Sequence, residues 1–218
     1  MKQFRQRFLA LLSPGVQILV GLLAAAYLAE VMGRLSHAFY LSDWLALSGP
    51  KFWSGQLWRL VTYGLLPAGI FDFLMNSIVL VVLGGMLERH WSRGELWVYC
   101  GVVVLGAGLV KVLLSSSSPQ PMSGAAPLLF GLLIAWGFHN GRETISLAPF
   151  GEMTVWKLVC FAGTLSLLLQ LFTAGTNHAF IMASGGVIGL LYLWVKLKWL
   201  MNRAGSVVHS ERIHRLEL

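Results

Sequence analysis

LVCFAGTLSLLLQLFTAGTNHAFIMASGGVIGLLYLWV, from Leu158 to Val195, is a run of 38 residues without a formal charge. A bilayer crossing takes about 20 apolar residues, so the run is too long for one span, and the polar break TAGTNH at 173–178 divides it into two. Upstream, Phe8 to Ala29 is also uncharged and follows the basic head MKQFRQR. That stretch is longer than the apolar region of a typical signal peptide and reads as span one. Ile70 to Leu87 forms span two, Leu96 to Leu114 span three, and the short stretch Pro127 to Phe138 span four, after the turn-like linker SSSSPQPMSG. Between spans one and two lies GRLSHAFYLSDWLALSGPKFWSGQLWRL, rich in aromatics and poor in spanning character, which suits a loop at the membrane interface.

Composition agrees. Of the 218 residues, 56% are hydrophobic and 11% charged, against roughly 25% charged in soluble domains, and mean hydropathy is +0.71. The expected fold is all-α: a six-span membrane domain over 1–201, with its first loop at about 33–59, and a short tail at 202–218. The net charge of +7 invites a nucleic-acid reading until the charges are located. With six crossings, Lys2, Arg5, Arg7, Arg89, Arg93, Arg142, Lys157, Lys196, Lys198, Arg203, Arg212 and Arg215 fall on the side of the termini. Only Arg34, Lys51 and Arg59 fall opposite, and Lys111 lies in span three, placed to snorkel. That asymmetry puts both termini in the cytoplasm and makes the basic charge an orientation signal, with no nucleic acid implied. Cys100 and Cys160 both sit in apolar stretches, as small buried hydrophobes and not as a disulfide or metal pair.

Four short motifs occur in a telling order. Trp58-Arg59 ends the first loop; PAGIFDFLMN opens span two, which closes with Leu87-Glu88; GAAPLLFGLL starts at Gly124; and MASGGVIG carries Gly185-Gly186. Together they resemble the rhomboid family of intramembrane serine proteases over most of the chain, which implies a six-helix rhomboid-like bundle in a membrane, here expected to be a bacterial inner (plasma) membrane. The resemblance also implies where chemistry would sit, and there the sequence departs. The family's G-A-S-G nucleophile position is Ala126, and the glycine after it is Pro127. The span-six histidine position aligns with Ala183, or with Met182 or Ser184 on a one-residue shift. The histidine that assists the oxyanion aligns with Asp72, while Asn76 is kept. A methyl group is no nucleophile, and no imidazole remains to carry its proton. A carboxylate at position 72 would oppose a developing oxyanion.

Proline favours the first helical turn, so Ala126 is expected at the cap with span four starting at Pro127. A relocated Ser123–His178 pair is the enzyme alternative. His178 lies five residues before Ala183, some 140° around a helix and about 7.5 Å away along it, which weighs against the pair. An aspartyl mechanism lacks a second intramembrane acid, and the zinc signature H-E-x-x-H is absent. Asp72 has two readings: lining the former active-site cavity against a partner helix, or facing trapped water or Arg59. Trp58 and Arg59 read as structural, one anchoring at the interface and the other binding loop carbonyls or lipid phosphate. Gly131, Gly137, Gly185, Gly186 and Gly189 mark close helix packing, and the loop and tail histidines read as solvated. The expected function is that of an inactive rhomboid-like protein. It needs no cofactor or metal, and its partners are membrane lipid and the transmembrane helices of other proteins, held in a cleft formed by Asp72, Asn76, Gly124, Ala126, Pro127, Ala183 and Ser184.

Overall fold

The computed structural model describes residues 13–37, 39–114, 120–147 and 151–216, with side chains as far as Arg203. The basic head with Lys2, Arg5 and Arg7, the serine run 115–118, and the side chains of His209, Arg212, His214 and Arg215 lie outside the described residues. Among the described residues, five helices are long and apolar enough to cross a membrane: α1 (Pro14–Ser36), α2 (Ile70–Glu88), α3 (Arg93–Leu114), α5 (Val155–Ala174) and the Thr176–Arg203 part of α6 (Thr176–Leu216). Between α3 and α5 lies α4 (Ala126–Asn140), apolar but only 15 residues long. At 1.5 Å per residue it measures about 22 Å, less than a bilayer's hydrocarbon core of about 30 Å. The fold is thus an all-α polytopic membrane bundle. Large apolar side chains such as Phe71, Leu113 and Phe172 face outward from it.

Each end of the bundle is closed by a polar device. At the terminus-bearing end, Glu88 at the foot of α2 accepts hydrogen bonds from the Ser13 hydroxyl and from the free N–H groups of Gly15 (3.1 Å) and Val16 (3.2 Å), so α1 is capped by a residue from another helix. At the first-loop end α1 runs on to Ser36, and the loop begins at His37, a non-glycine residue at φ 51°. The last turn continues past the expected boundary because Arg34 pairs with Glu30 at 2.8 Å, while the same Glu30 carboxylate accepts the Ser42 N–H at 2.9 Å. A π-turn at Leu80–Gly84 interrupts α2.

The interior is set by small residues. A β-carbon on Gly185 would stand 2.7 Å from the Pro127 carbonyl carbon, and one on Gly186 would stand 2.7 Å from Phe130 Cδ1. One on Gly131 would meet Val103 at 3.0 Å, and one on Gly189 would lie 3.5 Å from Gly131 Cα. Without these glycines α4 could not lie between α3 and α6. Tyr99 Oη crosses the same contact to donate to the Gly131 carbonyl at 2.7 Å. A two-stranded antiparallel hairpin, β1 (Thr144–Leu147) and β2 (Gly151–Thr154), joins α4 to α5 where the sequence suggested only a polar loop.

Candidate functional site

The motif residues gather at the first-loop end. Arg59 is 2% exposed, and its guanidinium donates to Gln56 Oε1 (2.6 Å) and to the carbonyl oxygens of Ala46 (2.5 Å) and Asp43 (2.6 Å). Burial lowers its pKa from the ordinary value while the charge of Asp43 opposes this. Trp58 is half exposed and donates from its indole to the Trp44 carbonyl at 3.2 Å, and Thr62 donates to the Leu45 carbonyl at 2.9 Å. The loop so knitted holds the approach to α4: Leu47 and Met122 exchange both backbone hydrogen bonds, and Gly124 N–H donates to the Tyr63 carbonyl at 3.0 Å. Gly124 sits at φ 110°, a conformation open to glycine and strained for other residues. The cap of α4 is Ala125, which places Ala126 in the first turn, one residue earlier than expected, with Pro127 following it.

Ala126 opens on a cavity of about 680 Å³ between α2 and α5. Asp72, Asn76, Val82 and Met86 line one wall, Ala162, Ser166, Gln170 and Thr173 the other, and Leu129, Leu133 and Trp136 of α4 the floor. From α6 the lining residue is Met182, the position reached by the one-residue shift. Ser184 is turned to its own helix, donating to the Ile181 carbonyl at 2.6 Å, and neither it nor Ala183 lines the cavity. Gly124 and Pro127 do not line it either. Among the described residues no histidine lines the cavity, and Ser123 is exposed outside it. Ser166 and Thr173 supply hydroxyls there, with no imidazole beside them in the lining to take a proton.

Asp72 does not pair with Arg59, whose donors are committed to the loop. Its carboxylate accepts the Ala68 N–H at 2.9 Å, closing the turn in front of α2, where an acid also meets the positive end of the helix dipole. Asn76, one turn further along, is 5% exposed, and its Nδ2 has no hydrogen-bond partner, a costly state for a buried donor. Cys100 is buried as expected, whereas Cys160 is exposed on α5, because in a membrane bundle an apolar neighbourhood does not mean an inward one.

Three groups of known proteins resemble this chain. The family described as Eukaryotic integral membrane protein (DUF1751) matches residues 17–195. Transmembrane protein 115 of Mus musculus is 30% identical over 161 residues, which is 69% of this chain and 44% of that protein, and the Homo sapiens protein of the same name matches to the same extent. The rhomboid protease GlpG of Photorhabdus laumondii is 31% identical over 143 residues, 64% of this chain and 48% of that protein. The chain spans less than half the length of each of these relatives.

Proposed function

The chain belongs to the Eukaryotic integral membrane protein family DUF1751, and on that premise we propose that it is a rhomboid-like protein that holds transmembrane helices of partner proteins without cleaving them. One observation carries the reading. The groove between α2 and α5 has a methyl group, Ala126, where the rhomboid pattern has its nucleophile, yet it remains open over about 680 Å³. Loss of the nucleophile removes acyl transfer; an open apolar groove still offers a helix burial. The same reading takes the cluster of Lys and Arg at the terminus-bearing end as the cytoplasmic side. Relatives come from mouse and human as well as from bacteria, so the reading rests on membrane insertion and orientation and not on a bacterial inner membrane.

The test uses the full chain reconstituted in lipid nanodiscs with a fluorescent transmembrane peptide and, separately, a serine-directed fluorophosphonate probe. Expected are saturable peptide binding, no covalent labelling and no cleavage products. Labelling that disappears on Ser123→Ala or Ser166→Ala would replace this reading with an enzymatic one.

A further inference from the structure

We propose that the groove takes a transmembrane helix bearing a basic residue at the depth of Asp72. The inference rests on the helix-binding reading of the groove and specifies its occupant.

The groove is polarised along its length. Asp72, Asn76, Gln170 and Thr173 line the half nearest the first-loop end, while Met86 and Leu158 line the half nearest the termini. Asp72 and Met86 are 14 residues apart on α2, about 21 Å of helix, so an occupant meets the groove over most of a membrane span. Asp72 stands in the first turn of α2, half-buried and open to the groove, where a cation on an occupant can reach it. The ion pairs among the described residues join Glu30 to Arg34, Glu88 to Arg93 and Glu95 to Lys196, and none includes Asp72. An ionised carboxylate offers about four acceptor positions, and the Ala68 N–H takes one of them. A cation from outside the chain fits what remains.

Asn76 follows at i+4, about 6 Å deeper, but its Nδ2 is closed off by its neighbours, so it is the Asp72 carboxylate that the α2 wall offers to an occupant. A partner helix matches it with a Lys or Arg. The rest of its contacting length faces Leu129, Leu133 and Trp136 and must be apolar.

The experiment measures energy transfer in nanodiscs between the full chain and synthetic 23-residue leucine–alanine transmembrane peptides that carry Lys, Leu or Glu at the depth of Asp72. The Lys peptide is expected to bind about tenfold more tightly than the Leu peptide. Asp72→Asn should erase that difference, and because the amide oxygen can still accept from Ala68 N–H, the turn is kept. Asp72→Lys should transfer the preference to the Glu peptide, and the groove-filling Ala162→Trp should weaken every peptide. Equal binding of Lys and Leu peptides, both sensitive to Ala162→Trp, would overturn the basic occupant while leaving helix binding intact. No binding of either, or binding indifferent to Ala162→Trp, would remove the helix-binding reading itself.

Discussion

Gly185→Ala should destabilise the bundle, although alanine is the better helix former. The new carbon would lie 2.7 Å from the Pro127 carbonyl carbon and 2.9 Å from its Cα, where comfortable carbon contacts are about 3.5–4.0 Å. Both obstructing atoms belong to the backbone, so no rotamer change relieves them, and α4 and α6 must part by roughly 1 Å. Overpacking of this kind costs about 1–3 kcal/mol. A shift of that size also stretches the Tyr99–Gly131 hydrogen bond, now 2.7 Å, beyond bonding range, for about 1 kcal/mol more. The helix propensity gained on replacing glycine offsets about 1 kcal/mol, which leaves a net loss of roughly 1–3 kcal/mol. Gly21 and Gly101 are the controls, since nothing lies within 4 Å of a β-carbon at either, and alanine there should be neutral or stabilising. Reversible unfolding in mixed micelles, with sodium dodecyl sulfate as denaturant, reads all three on one scale. If Gly185→Ala shifts the midpoint in the same direction as Gly21→Ala, the close approach of α4 and α6 is wrong.

Arg59→Lys should lose about 1–3 kcal/mol in the same assay, because a single ammonium cannot reach Gln56, Ala46 and Asp43 together; a variant as stable as wild type contradicts the loop geometry. Glu88→Gln should cost about 1 kcal/mol, more at low salt than at high, since the charge facing the start of α1 is removed while one acceptor stays. Burial raises the Tyr63 phenol above its ordinary pKa, so its stabilisation is complete below the unfolded value of about 10 and declines as pH rises past it; Tyr63→Phe should flatten that alkaline slope. Ala126→Ser should remain unlabelled by a fluorophosphonate, because the cavity holds Met182 where a base would be required.

The spans could be read from the sequence because exclusion of charge is the strongest signal a membrane imposes, and the glycines of α4 and α6 could be read because close packing demands them. Rotation about a helix axis could not. Motif alignment along α6 leaves one residue, about 100°, undetermined, and only packing against α3 and α4 turns Met182 to the cavity. Asp72 looked like an intramembrane anomaly because the partner of its turn, the Ala68 N–H, is a backbone group without a sequence signature. The Glu88 cap on α1 spans more than seventy residues, beyond the reach of any local pattern. The hairpin leaves little trace because TISL and GEMT are four residues each, in a stretch whose polar and turn-forming residues read equally well as loop.

The buried residues of α5, Val155, Val159 and Gly163, all belong to its first half, whereas Phe172 near its end is 84% exposed. Gly175, at φ 86°, alone separates α5 from α6. A beam fixed along one half and jointed at its tip bends far more easily at the tip than at the root. Were the cleft to hold a helix as proposed, its apolar half would be the stiff gauge of girth, and its polar half the part that gives way to side chains of different bulk. Discrimination there would then fall to charge, and substitutions around the α5 root would change how costly each widening is from a distance.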